Sequence, residues 1–431
     1  MGSRPLDSTM RALLQRRASN SALRSLTIAP PTSTDFSSND FLSLSSSADL
    51  RAAYLEELHA HPGFRLGSGG SRLLDGNSAY AEELERSIAG FHGAPAGLLF
   101  NSGFDANAGF FSCVPQPGDL VLYDARIHAS VHEGMRLCRA GARVAFAHNS
   151  VADLRAQLAG RIAGDPLLRD GRRNVFVAVE SLYSMDGDLA PIREVVELVE
   201  ELLPAGNGHV VVDEAHSNGV YGEQGRGVVC SLGLEDRVFA RLHTFGKGLA
   251  CSGAILLCSA LTREYLINYA RTLIYTTAMS FPSLAAIKAA YSLMTQGLTQ
   301  PLITHLHKLI SHLYTTLQTL TPYIQESPQG RIPLLRFPTQ KPESPIFSLL
   351  TPEPRSLAKY CQEGGFIVRP IVPPTVPEGT QRVRICLHAG NTFEEVERLV
   401  DRIRGWLVGE REREDLEGAQ VQKLELVKSV L

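Results

Sequence analysis

The sequence predicts an α/β fold, with a mostly parallel central sheet in a large domain and a second, smaller α/β domain behind it. Three observations predict it. Short continuous apolar runs, Val175-Phe176-Val177-Ala178-Val179 and Val210-Val211-Val212 among them, alternate with helical stretches, which is the pattern of strands covered on both faces. Polar residues recur just after those runs (His128, Glu180, Ser184, Asp213, His216), so chemistry gathers at one edge of the sheet. At 431 residues and 44% hydrophobic content, the chain is long enough for two domains.

In chain order, the first 34 residues carry Arg4, Arg11, Arg16, Arg17 and Arg24 against a single acid, Asp7. That composition resembles a mitochondrial transit segment, but an amphipathic arm helix covering the site is the preferred reading, and residues 1–40 are assigned to an N-terminal arm. Gly2 is not followed by the Ser or Thr of a myristoylation signal. Asp35 to Leu42 reads as a short strand breaking into a polar turn. Leu66 to Asn77 has the glycine density of a loop whose backbone approaches something closely, and Arg72, Asp75 and Asn77 interrupt it with groups able to make specific hydrogen bonds. Ala79 to Phe91, with Leu84 and Ile88 at helical spacing, is a surface helix.

Ala96 to Phe100 is a buried strand that Asn101-Ser102-Gly103-Phe104 turns into a helix. Such a turn can offer unpaired N–H groups to a phosphate or be a plain helix cap, and the segment alone leaves both readings open. Further strands are placed at 120–124, 144–146, 175–179, 210–212 and 254–257. The large domain is assigned to 41–285, the small one to 286–408, and a charged tail to 409–431, where no apolar stripe is long enough for a core. The final Lys-Ser-Val-Leu is not a recognisable peroxisomal address.

A formal net charge of −3 provides no general attraction for nucleic acid or an anionic membrane. No run of about 18 apolar residues is present, so a soluble, cytoplasmic protein is expected, with mitochondria and peroxisomes left open. Seven cysteines are scattered without CxxC pairs, which reads as reduced usage with no disulfide framework and no metal site.

The chemistry centres on Thr244-Phe245-Gly246-Lys247-Gly248. A lysine between glycines is ordinarily a surface residue. Here it follows a strand that ends in an acid and a histidine, Val212-Asp213-Glu214-Ala215-His216, and 34 residues separate Asp213 from Lys247. That interval holds a turn, a crossover and another strand, so both groups can reach the same end of one sheet. The arrangement fits pyridoxal 5'-phosphate (PLP): a desolvated lysine holds the aldehyde as an imine, and the aspartate keeps the pyridine nitrogen protonated.

Six motifs together then resemble the α-oxoamine synthases, a family of fold-type I PLP-dependent transferases. They are Ser37-Ser38-Asn39-Asp40, Gly67-Ser68-Gly69-Gly70-Ser71, Ser102-Gly103-Phe104, Glu180 to Asp188, Asp213-Glu214-Ala215-His216 and Thr244 to Gly248, and the likeness runs from about Asp35 to Trp406. Leu273 to Met279 and Arg369 to Thr380 carry a closer likeness to the members that make 8-amino-7-oxononanoate, a biotin precursor. The resemblance implies Lys247 as the PLP lysine and proton-moving base, Asp213 on the ring nitrogen, His128 stacked on the ring, and His216 with Ser184 at the phenolic oxygen. It implies Ser102, Gly103, Phe104 and Thr244 on the phosphate, with Thr277 reaching it from the other subunit of a homodimer. Glu180 joins the cofactor-binding set, Asn39 and Arg384 match amino-acid carboxylate contacts, Thr375 lies along the acyl chain, and Arg24 matches an arginine serving the acyl substrate.

The implied reaction is decarboxylative condensation of L-alanine with an acyl thioester, pimeloyl-CoA or its carrier-protein equivalent. The alternatives are an α-oxoamine synthase with another amino acid or a polyketide-derived acyl group, an aminotransferase, and a silent partner subunit, against which the retention of Lys247 argues. Three departures stand out, one of them that His216 is followed by Ser217-Asn218-Gly219 where Gly-Thr-Gly is common. The segment between Arg24 and Ser37 is short for the family, and after Arg384 the chain reads Leu387-His388-Ala389-Gly390-Asn391-Thr392 where small residues and then a histidine before threonine are usual.

Overall fold

The computed structural model describes residues 4–20, 22–324 and 333–430, with side chains described as far as residue 413. Twelve strands are found among them: β1 (Thr34–Asp35), β2 (Ala96–Phe100), β3 (Leu120–Asp124), β4 (Ala142–Phe146), β5 (Val175–Glu180), β6 (Gly208–Asp213), β7 (Ala240–Thr244), β8 (Ala254–Cys258), β9 (Ile346–Leu350), β10 (Phe366–Ile367), β11 (Arg369–Ile371) and β12 (Arg382–Cys386). Seven form one sheet in the order β2-β8-β7-β6-β5-β3-β4. Strands β7, β6, β5, β3 and β4 run parallel, while β8 lies antiparallel to both β7 and β2. The sheet is therefore mostly parallel, as the apolar runs predict.

All six residues of β5 are buried, and their alternation supplies both faces of the sheet. Val175, Val177 and Val179 pack into one cluster with Leu154, Leu158 and Val196. Phe176 and Ala178 point the other way, into a cluster with Phe110 and Val131. The crossover helix Ile192–Leu202 buries Ile192, Val195, Val196 and Val199, which recur at three- and four-residue spacing. Each such side chain contributes roughly 1.5–3 kcal/mol when fully buried. The helix Ala79–Phe91 starts at Ser78, whose side chain accepts from the Ala81 N–H.

A second, three-stranded antiparallel sheet has the order β11-β12-β9. It packs with the helices Gln300–Gln318, Pro354–Glu363 and Phe393–Val430, and the last of these runs on through position 409. The start of the chain belongs to this body. Strand β1 pairs with β10, the Cys386 N–H donates to the Phe36 carbonyl, and the Ala389 N–H donates to the Phe41 carbonyl. Ahead of it the helix Pro5–Ser19 buries none of its residues. No helix among the described residues is long and apolar enough to cross a membrane.

Candidate active site

Parallel pairing brings the carboxyl ends of β5, β6 and β7 to one edge, where Glu180, Asp213 and Thr244 stand as last residues, with Glu180 and Asp213 in direct register. The loop after β7 carries Lys247 back over this edge, and its Nζ lies 2.9 Å from Nε2 of His216. A cavity of about 250 Å³ results, lined by Ser102, Gly103, Phe104, His128, Glu180, Asp213, His216, Thr244 and Lys247 among others. Nine of the sequence-predicted positions are thus brought together.

The electrostatics favour neutral bases. Burial, reinforced by the nearby Arg384 charge, holds the Lys247 amine below the usual lysine range, although Asp213 and Glu180 pull it upward. Burial, Lys247 and Arg384 hold His216 well below its ordinary value, and His216 Nδ1 has no hydrogen-bond partner among the described residues. Burial also lowers His128. Burial and the neighbouring Asp213 carboxylate push Glu180 well above the usual carboxylate range.

Asn107 and Ser130, which were not picked out in the sequence, complete the site. Asn107 Nδ2 donates to Asp213 Oδ2 at 2.7 Å and to Ser130 Oγ at 2.9 Å. Ser130 in turn faces His128 Nδ1 with its Oγ at 2.7 Å and its backbone N–H at 3.2 Å. With the Asn107 amide donating to it, the Ser130 hydroxyl is free to donate to Nδ1, which leaves the His128 proton on Nε2. The second Asp213 oxygen accepts the Ala215 N–H at 2.9 Å. The sequence signal was a polar Asn107 within the apolar helix Gly103–Cys113, all of whose neighbours from Ala106 to Phe111 are buried.

Other positions lie outside this lining. Ser184 contributes its carbonyl oxygen, which accepts from Arg384 Nε at 2.6 Å. Arg384 Nη2 donates to Asn39 Oδ1 at 2.9 Å, so those two residues meet. Thr277 is exposed, and its carbonyl accepts from Asn101. Thr375 and Arg24 are both exposed, and neither lines the cavity. The Ser102 hydroxyl caps its helix, accepting from the Asp105 N–H at 3.0 Å, so the capping reading holds for that side chain, while Ser102, Gly103 and Phe104 line the cavity at the start of that helix.

These residues fit PLP. A buried amine beside an unpartnered imidazole nitrogen, a carboxylate fixed by two donors, and a helix N-terminus with Gly103 at its mouth are what an aldehyde, a pyridine nitrogen and a phosphate need. A Cβ at Gly103 would run into the Thr244 methyl, so the close approach of the two at the cavity favours glycine there.

The model of the aminotransferase class I and II family matches residues 31–403. The chain belongs to that family of PLP-dependent enzymes, and within it to the α-oxoamine synthases. It is 58% identical over 410 residues to an 8-amino-7-oxononanoate synthase of Emericella nidulans, covering 94% of this chain and 98% of that one. It is 42% identical over 374 residues to the aminoacyl transferase sphA of Aspergillus fumigatus, covering 85% of this chain and 79% of that one. Among solved structures it resembles Sphingomonas wittichii serine palmitoyltransferase, with a TM-score of 0.79, 25% identity, and 94% and 98% of the two chains covered.

Proposed function

We propose that the protein condenses L-alanine with a pimeloyl thioester, on CoA or a carrier protein, releasing carbon dioxide and the free thiol and giving 8-amino-7-oxononanoate. The observation that carries this reading is the state of Arg384. It is buried, and its partners among the described residues are the Ser184 and Ser37 carbonyls, the Asn39 amide oxygen and the Cys386 thiol, none of them an acid. A buried guanidinium without an acid is stabilised by an incoming carboxylate, and its charge already bears on Lys247 and His216. The 58% identity to an 8-amino-7-oxononanoate synthase supports the choice of acyl group and amino acid.

PLP would be held by Lys247, Asp213, His128 and the Ser102–Phe104 turn with Thr244, and would supply an electron sink for the amino-acid Cα. Arg384 and Asn39 orient the amino acid by its carboxylate. Lys247, whose amine burial holds below the usual lysine range, takes the Cα proton, and His216 at 2.9 Å shares the proton or steadies the amine. After the Cα attacks the thioester carbonyl, the thiolate leaves and the original carboxylate departs as carbon dioxide. Lys247 then returns a proton to Cα. Burial and Asp213 both disfavour the charged form of Glu180, which limits negative charge beside Asp213.

The working unit is a homodimer in this reading. Leu66, Leu73, Leu74 and Tyr275 are exposed on two segments tied together by the Ala278 N–H to the Gly70 carbonyl, and an apolar surface next to the site suits a second copy that brings Thr277 to its neighbour's phosphate. Arg24 and Thr375 are assigned to the acyl substrate on the family likeness alone. A large unit to residue 285 and a small one after it are supported by the separate seven-stranded and three-stranded sheets, whereas residues 34–41 pair with the small unit and the last helix continues unbroken past 408. Seven free cysteines support a reducing compartment such as the cytoplasm.

The sphA and serine palmitoyltransferase likenesses favour one second reading, another amino acid with a longer acyl group. Incubation with L-alanine, glycine or L-serine against pimeloyl-CoA and palmitoyl-CoA, with mass detection of the amino ketone, separates the two. Product from palmitoyl-CoA alone overturns the pimeloyl assignment.

A further inference from the structure

The departure from the family pattern after Arg384 has a structural role. His388 is buried, stands two residues beyond β12, and does not line the cavity. Its ring lies under the turn that carries Asn39. Nδ1 is 3.0 Å from the Asp35 carbonyl, and Nε2 is 3.0 Å from Ser38 Oγ and 3.1 Å from the Ser38 carbonyl. A ring donating from Nδ1 and accepting the Ser38 hydroxyl at Nε2 ties both ends of the turn at once. Asn391 completes the arrangement: its Oδ1 accepts the His388 N–H at 2.9 Å and its Nδ2 donates to the Asp35 carbonyl at 3.3 Å. The Asp35 carboxylate closes the turn from inside by accepting the N–H groups of Ser37 and Ser38.

We propose that His388 is a positioning residue for amino-acid binding, acting through the Asp35–Ser38 turn to hold Asn39 against Arg384. This rests on the reading of Arg384 and Asn39 as the carboxylate contacts. The geometry is specific to that task. Ser38 immediately precedes Asn39, whose Oδ1 accepts from Arg384, and Arg384 lies four residues before His388 on the same strand and its extension. One imidazole therefore sets the spacing between the two halves of the contact. Its loss takes the acceptor from the Ser38 hydroxyl and one donor from the Asp35 carbonyl and so frees the turn, while the cavity lining at Lys247, Asp213 and His128 is untouched.

The test uses the full chain loaded with PLP, with the L-alanine dissociation constant read from the absorbance change on titration and KM read for both substrates. For His388→Ala the constant and the KM for L-alanine rise about tenfold, while the KM for pimeloyl-CoA and the PLP content stay unchanged. His388→Gln, which keeps a donor and an acceptor, recovers most of the loss. Combining His388→Ala with Asn39→Ala gives much less than the product of the two single effects, because both act through one contact. Should His388→Ala fail to fold, His388→Leu preserves the volume without the polar atoms, and the same split is read on it. L-alanine binding unchanged in a folded variant, or an equal loss for both substrates and PLP, overturns the proposal. Arg384→Ala is the control: if it too leaves L-alanine binding unchanged, the carboxylate reading itself falls; if it alone weakens binding, only the role of His388 falls.

Discussion

Asn107 donates to Asp213 across 2.7 Å, joining a helix on one face of the sheet to the last residue of β6. The same amide reaches Ser130 and, through it, His128, so one side chain orients two groups that meet PLP. Asn107→Leu removes both donors at similar volume. Its expected effect is a PLP affinity about tenfold weaker, from the loss of a charge-assisted hydrogen bond. Fluorescence titration of the apoprotein with PLP measures it, and an unchanged affinity would show that Ala215 alone suffices to fix Asp213.

Lys247 is expected to hold the cofactor covalently. Borohydride reduction followed by peptide mapping should place the pyridoxyl label on Lys247, and Lys247→Ala should lose both the label and about 10²–10⁴ in turnover, the usual contribution of a positioned base. A label on any other lysine sinks the assignment.

The imidazole of His148 bridges Asp124 at 2.8 Å and Asp188 at 2.7 Å. Burial works against its charge, but the hydrogen bonds to the two acids push its pKa up to about 9. The value is raised on folding, so the stabilisation is fully present below the ordinary value near 6.5 and disappears as pH rises through about 9. At about 1.4 kcal/mol per unit it is worth at most ~3.5 kcal/mol, and less once solvent screening of the half-buried ring is counted. Denaturant midpoints measured from pH 6 to 10 should fall more steeply for the native protein than for His148→Gln, and parallel curves would count against the bridge.

Gly187 has φ of +76°, and a Cβ there would strike the carbonyl oxygen of Ile346 in β9. Gly187→Ala therefore meets both an unfavourable backbone region, about 1–2 kcal/mol, and a contact with main chain that cannot swing aside. Urea unfolding should show a loss of at least that size. A loss below ~0.5 kcal/mol would mean that the Tyr183–Asp188 loop moves freely against β9, since ordinary surface changes stay within that range.

Much of this was legible because apolar runs report burial directly. The strand β5 could be read from Val175-Phe176-Val177-Ala178-Val179, and Lys247 and Asp213 from their strand-end positions. Strand order was not legible. Nothing local in Ala254–Cys258 says that it runs antiparallel between β7 and β2, since pairing is decided by connections and packing far along the chain. Asn107 was hidden for a similar reason. A polar residue on a buried helix face is only an oddity until its partner on another element is known. Ser184 illustrates the limit of reading side chains, because in the structure it is the carbonyl of that residue, not its hydroxyl, that meets Arg384.

The stitching of Asp35–Phe41 onto the second sheet also sets a timetable. Asn39 and Arg384 are 345 positions apart, and Ser38 and His388 are 350 apart. During synthesis the early segment leaves the ribosome with no partner to bind. It must wait, unpaired, until β10 and β12 have emerged, long after the strands around Lys247 have had the chance to assemble. A nascent chain stopped between residues 258 and 384 can therefore close the cofactor end of the site and still have no amino-acid end, and a chaperone that shields the first forty residues would be guarding the last part of the enzyme to be finished.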